Sequence, residues 1–301
     1  MSDREIRHLS ELESESIYIL RDTVAQFRNP VMLYSVGKDS TCLLHLARKA
    51  FFPAPIPFPL LHIDTGYKFK EMYEFRDRMA KKFGVELHVY GNTEAQRNNT
   101  NPYDLGTQRC CALLKTQGLL GALEHFGFDA AIGGARRDEE RSRAKERIFS
   151  IRDKFGQWKP SHQRPEPWGL LNGLLPPAET MRVFPLSNWT ELDVWNYIQM
   201  ERIEVVPLYF SRSRPMVQVG QMWIPAEGGP PGLSPDRIVM REVRYRSLGC
   251  TPCTAAIESR ASTVAEIIAE LKVATNSERG QRVIDFDSEA SMESRKREGY
   301  F

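Results

Sequence analysis

Pro30-Val31-Met32-Leu33-Tyr34-Ser35-Val36-Gly37-Lys38-Asp39-Ser40-Thr41-Cys42-Leu43-Leu44-His45-Leu46-Ala47 runs from an apolar segment through a polar loop into apolar residues at helical spacing. The order predicts strand, loop and helix. In that arrangement the N–H groups of Ser35 to Ser40 and the helix N-terminus face one space, which suits a phosphate or pyrophosphate. Lys38 adds a movable point charge. The loop lacks the first glycine of Gly-x-x-x-x-Gly-Lys-Ser/Thr, and Asp follows its Lys, so it is not that nucleotide loop. An ordinary glycine turn is the alternative.

The same alternation continues outward. Phe58–Ile63 reads as a strand ending in Asp64-Thr65-Gly66, Glu71–Phe83 as an amphipathic helix and Val85–Tyr90 as a third strand. Cys110–Phe126 reads as helix and Phe128–Ile132 as a strand before Gly133-Gly134. Leu9, Leu12, Ile17, Leu20, Val24 and Phe27 mark a leading helix over 9–27,. After a proline-rich stretch, Met181–Leu186 predicts another strand, and Thr190 with Asp193 predicts a capped helix,. Residues 225–235, with Gly228-Gly229 and Pro230-Pro231-Gly232, predict a surface excursion,.

These segments predict an α/β fold, a parallel twisted sheet with helices on both faces, plus a C-terminal extension. Ligands in such sheets sit beyond the strand C-termini, where these loops fall. The chain has 301 residues. The expected division is one nucleotide-binding domain with its N-terminal helix over 1–205 and an extension over 206–301, whose last residues, 278–301, form a charged tail over the site or onto a partner.

Forty-one basic and 39 acidic residues give a net charge of +2, so a charge-driven site must be local,. The charged N-terminus does not read as a signal peptide, no apolar stretch approaches a membrane span, and the five cysteines do not form a secretory framework,. A cytoplasmic protein with no membrane partner is expected.

Three loops carry the chemistry. Ser35, Gly37, Lys38, Asp39 and Ser40 are expected to cradle phosphates. Asp64 either caps its own turn or fixes the nucleotide through a ribose or a magnesium ion. Gly133 and Gly134 let backbone approach a ligand, and Arg136 and Arg137 beside them suit oxyanion contacts. The more distal charges, such as Glu139 with Arg143, read as a solvated helix face.

Ser35–Ser40 resembles the PP-loop of ATP pyrophosphatases, usually Ser-Gly-Gly-Lys-Asp-Ser, with Val36 in place of the first glycine. Together with Asp64-Thr65-Gly66, Gly133–Arg147, Ser187–Glu191 and the ending Ser291–Phe301, it resembles the small subunit of assimilatory sulfate adenylyltransferase. The resemblance implies adenylylation of sulfate by ATP with release of pyrophosphate, and a GTPase large subunit as partner. It also implies Lys38, Arg136 and Arg137 as catalytic residues, with Mg2+ bridging phosphates.

Cys110-Cys111 and Cys250-x-x-Cys253 are similar to the pairs that hold a 4Fe-4S cluster in adenylyl-sulfate reductases,. A zinc site, buried inert thiols and a Cys250–Cys253 redox pair are the alternatives. The reductases use a C-terminal cysteine, and none follows Cys253 here. The cysteine set supports a second reading, a PP-loop enzyme that activates tRNA or DNA for sulfur insertion with a cysteine desulfurase. A third is a non-catalytic ATP-binding or cluster-sensing subunit.

Overall fold

The computed structural model describes residues 1–273, except for the side chains at 141 and 142; the tail expected over 278–301 lies outside the described residues. Helix α1 (Asp3–Gln26) begins six residues before the apolar periodicity does. Ser2 and Glu5 explain this by capping each other: the Glu5 N–H donates to Ser2 Oγ at 3.3 Å and the Ser2 N–H to Glu5 Oε2 at 2.6 Å,.

Then β1 (Pro30–Leu33), α2 (Lys38–Phe51), β2 (Leu60–Ile63), α3 (Lys70–Phe83) and β3 (Leu87–Tyr90) alternate as the pattern predicts. The short α4 (Thr93–Arg97) precedes α5 (Pro102–Cys111), which passes through a π-turn at Ala112–Thr116 into α6 (Gln117–Phe126). The helix expected from Cys110 therefore starts earlier. Asn101 caps its first turn by accepting from the Tyr103 and Asp104 N–H groups, with Pro102 in that turn, and Gly106 at φ +76° breaks the helix before the Cys110 segment resumes it,.

Strands β4 (Ala130–Ile132), β5 (Phe149–Arg152) and β6 (Thr180–Val183) complete a six-stranded sheet, and α7 (Glu191–Met200) follows with the predicted Thr190–Asp193 capping box. The order is β3-β2-β1-β4-β6-β5, parallel at every pair except the antiparallel β5–β6 edge. Both neighbours of β1 come later in the chain, so strand order reverses there and opens a crevice at its C-terminal end. The loop after β1 is Ser35–Ser40.

Burial alternates along the strands. Met32, Leu60, Ala130 and Ile132 pack with Leu43, Leu46 and Met72 on one face, and Val31, Leu61 and Ala131 pack with Leu119, Ala122 and Leu123 on the other. Helices thus cover both faces.

The extension contributes a second sheet that the sequence reading does not specify. Strands β7 (Arg212–Val219), β8 (Met222–Pro225), β9 (Val239–Arg244) and β10 (Ile257–Glu258) are antiparallel in the order β10-β9-β7-β8. Helix α8 (Val264–Val273) buries Ile267 and Ile268 in the cluster that holds Val194 and Ile198 of α7. The excursion expected over 225–235 is partly inside. Gly228 is buried, and a Cβ on it would lie 2.7 Å from the Thr251 carbonyl carbon, so only glycine fits there.

Candidate functional site

A cavity of about 230 Å³ opens at the strand C-termini, lined by Ser35, Gly37, Lys38, Asp39 and Ser40 after β1, by His62 and Ile63 of β2, and by Gly133 and Gly134 after β4. Gly37 is the N-cap of α2, so the helix N-terminus and the loop amides point into this space,. Val36 sits at φ +67°, a left-handed conformation that is strained for a β-branched residue and costs on the order of 1–3 kcal/mol,. Its buried side chain in the main core helps hold it there. Gly134 is dictated by close approach: a Cβ would stand 3.1 Å from the Asp39 carbonyl carbon and 3.2 Å from the Ser40 nitrogen.

Lys38 is 1% exposed, with Nζ 3.1 Å from Asp39 Oδ2. The Asp39 carboxylate also meets Arg136 Nε at 2.8 Å. Burial opposes its ionisation, but Lys38 and Arg136 outweigh that and hold it below the usual carboxylate range,. The Lys38 N–H donates to the Tyr209 hydroxyl at 2.7 Å. This phenol is buried in the cavity wall, so the segment after α7 reaches the Ser35–Ser40 loop. His62 hydrogen-bonds the Tyr34 carbonyl at 2.8 Å through Nδ1, and burial, with Lys68 nearby, lowers its pKa to about 4.

Other expected residues are placed elsewhere. Asp64 accepts from the Gly66 N–H at 2.8 Å and the Tyr73 hydroxyl at 2.7 Å, and is not among the cavity-lining residues. It caps its own turn. Arg136 is 1% exposed and points at Asp39, with Asp138 at 3.5 Å; Arg137 bonds Asn188 and the Glu146 carbonyl. Neither lines the cavity. Arg136 braces the Ser35–Ser40 loop through Asp39, and Arg137 ties the Gly133–Arg147 segment to Asn188.

Sequence reasoning missed Lys68, Lys115, Arg143, Tyr209 and Ser247–Gly249, all of which line the cavity. Arg143 corrects the reading of a solvated helix face. The segment forms two 3-10 turns, Arg137–Glu139 and Arg141–Lys145, and Arg143 is 3% exposed, 3.8 Å from Glu139. Tyr209 and Ser247 carry no local signal, because long-range packing brings them in.

All four paired cysteines are buried and line one small cavity with Thr65, Tyr67 and Lys115. Burial raises the Cys110 and Cys253 thiols to about 12, with neighbouring cysteines adding to it. Burial also opposes ionisation of Cys250, but Lys115, Lys68 and the Thr65 hydroxyl, 3.2 Å from Sγ, hold its thiol below the usual range,. Among the described residues no three His, Cys, Asp or Glu side chains converge on a single ion. A four-iron cluster takes one thiolate per iron, so this donor set suits it better than zinc. Cys42 is core. For magnesium, Asp39 and Glu139 are the carboxylates that line the larger cavity, in keeping with an ion that uses one or two carboxylates plus substrate phosphates,.

Among the described residues no helix is long and apolar enough to cross a membrane. Residues 29–256 match the family model of the phosphoadenosine phosphosulfate reductase domain. The chain is 56% identical to a Parabacteroides distasonis protein named sulfate adenylyltransferase subunit 2, over all of both chains. It is 58% identical to the Myxococcus xanthus protein of that name, over 98% of this chain and 97% of the relative. Among solved structures, Candida glabrata FMN adenylyltransferase in complex with ATP is similar at TM-score 0.52 and 15% identity, covering 94% of this chain and 90% of the other. That likeness supports the fold alone.

Proposed function

The chain belongs to the sulfate adenylyltransferase subunit 2 family, carrying its phosphoadenosine phosphosulfate reductase domain, and from that premise we propose that it transfers the adenylyl group of ATP to sulfate. The observation that carries the reading is 56% identity to a protein of that name over the full length, together with the Ser35–Ser40 loop on the cavity wall.

A sulfate oxygen attacks the α-phosphorus, the bond to the bridging oxygen of the β-phosphate breaks, and pyrophosphate leaves with the electron pair. Sulfate is a weak nucleophile, so positioning and stabilisation of the leaving group do most of the work. The loop amides and Lys38 take the pyrophosphate. Asp39 holds Lys38, Arg136 holds Asp39, and Tyr209 fixes the Lys38 amide. Asp39 and Glu139 would hold a magnesium ion, which supplies charge neutralisation on the phosphates.

A 4Fe-4S group held by Cys110, Cys111, Cys250 and Cys253 would supply a covalent tie between α5 and the loop that follows β9. The four cysteines that would hold it lie next to the larger cavity, since Lys115 lines both. The partner proposed is the GTPase large subunit and the compartment the cytoplasm, where thiols stay reduced.

The full chain with its co-purifying subunit is expected to release pyrophosphate from ATP only when sulfate is present, and Lys38→Ala to abolish release. Sulfate-independent release stimulated by tRNA or DNA would replace this reading with nucleic-acid activation.

A further inference from the structure

Behind the cavity lies a buried group of arginines that the proposed chemistry leaves unused. Arg152 and Arg182 are 0% exposed and Arg143 is 3% exposed. Ser150 of β5 pairs with Arg182 of β6, so Arg152, two residues beyond Ser150, shares its face of the sheet,. Arg182 also aligns with Ala131, which packs against α6. Arg152 donates to Ser150 Oγ at 2.7 Å and to Glu146, and Glu146 lies 3.9 Å from Arg143, which reaches the cavity.

Arg143 meets Glu139 and Glu146, and Arg152 meets Glu146, whereas among the described residues Arg182 pairs with no carboxylate. Among the described residues Arg182 makes one long contact, to Thr180 Oγ1 at 3.4 Å, while its Nε and Nη2 have no hydrogen-bond partner, nor has Arg152 Nε. Burial, with Arg152 adjacent, lowers the Arg182 pKa to about 9. A buried guanidinium without a carboxylate partner is costly to the fold, and an anion brought near it would offset that cost. This positive wall is set off along the sheet from the pyrophosphate loop: β5 carries Arg152 and β6 carries Arg182, whereas the loop follows β1. Two anions in one cavity, a leaving pyrophosphate and an attacking oxyanion, need two such sites.

We infer that Arg143, backed by the buried charges of Arg152 and Arg182, forms the subsite that holds the divalent tetrahedral oxyanion. The inference rests on the sulfate-acceptor reading and gives that acceptor a place. Arg143 makes the contact through its planar fork. Arg152 and Arg182 are positioning residues: Arg152 fixes Glu146, which aligns Arg143, and Arg182 raises the local potential.

The test is equilibrium dialysis of radiolabelled sulfate against the full chain with its co-purifying subunit, in the presence of α,β-methylene-ATP, with analogue affinity measured separately. Arg143→Met is expected to weaken sulfate binding at least about tenfold, the loss of a charged hydrogen-bonding partner, and to leave analogue affinity within about twofold. Arg143→Lys is expected to recover part of it. Arg182→Met is expected to weaken sulfate binding while raising the melting temperature by roughly 2–4 °C, since an apolar side chain replaces an unpaired buried charge. A purely structural arginine gives the opposite pair, a lower melting temperature with sulfate binding intact, and that result overturns the inference. Equal sulfate affinity in wild type and Arg143→Met overturns it as well, leaving the acceptor reading standing. If the wild type binds the analogue but no sulfate, both fall.

Discussion

Replacing Arg136 by Met separates a brace from a substrate contact. Arg136 is 1% exposed, with Nε 2.8 Å from Asp39 Oδ1 and Nη1 3.5 Å from Asp138 Oδ2. Removing one partner of a fully buried pair costs about 3–5 kcal/mol. Asp39 is 24% exposed and keeps Lys38 at 3.1 Å, so water and Lys38 recover part of the loss, leaving about 2 kcal/mol,. At roughly 2–4 °C per kcal/mol, the melting temperature is expected to fall by roughly 4–8 °C. Asp39 then leans on Lys38 alone and draws Nζ away from the departing pyrophosphate. Turnover is expected to fall about 10²-fold, a loss comparable to that of one stabilising donor at a developing charge. The assays are differential scanning calorimetry and steady-state kinetics with each substrate varied. An unchanged melting temperature, with a rise confined to the Michaelis constant for sulfate, would mean that Arg136 touches the acceptor and would refute the brace.

Three further outcomes follow from the same geometry. Gly134→Ala places a methyl group against the backbone of Asp39 and Ser40, so the Michaelis constant for ATP is expected to rise about tenfold or more, checked by kinetics, with little change in melting temperature,. His62 has a folded pKa of about 4 against roughly 6.5 unfolded, so the unfolded state binds the extra proton between those values; stability is expected to decline as pH falls from about 6.5 to 4, and His62→Gln to flatten that slope in pH-dependent unfolding,. Anaerobically purified protein is expected to contain iron and acid-labile sulfide, both lost together in Cys250→Ser; a colourless, iron-free and fully active protein would remove the cluster.

The position of the Ser35–Ser40 loop is legible because its signal is consecutive: a turn and a cation stand between an apolar strand and an apolar helix, and the loop lines the cavity at the strand end. Val36 is the exception, since the sequence shows a valine where the backbone takes φ +67° and only core burial accounts for it. Alternating apolar runs likewise reveal the parallel strands, while the antiparallel β5 edge and the second sheet depend on pairings that no local pattern encodes. Arg136 and Arg143 show where local reading stops. Adjacency to Gly133-Gly134 predicts a ligand contact for Arg136, yet the chain turns it onto Asp39; spacing predicts an exposed helical ion pair for Arg143, yet 3-10 turns bury it at the cavity. The sign of a side chain was readable, and its direction was set by tertiary packing. The two cysteine pairs, 140 residues apart, meet in one cavity because Thr251 bonds the Tyr67 carbonyl at 2.7 Å and carries the Cys250–Cys253 loop to the end of α5.

The central claim is that sulfate itself is the group adenylylated. Incubating the full chain and its co-purifying subunit with ATP and sulfate labelled at all four oxygens with oxygen-18 tests it directly by mass spectrometry of the nucleotide product. Adenylyl sulfate carrying all four heavy oxygens, formed in step with pyrophosphate, is the predicted result. Pyrophosphate released with no label in any nucleotide would contradict it.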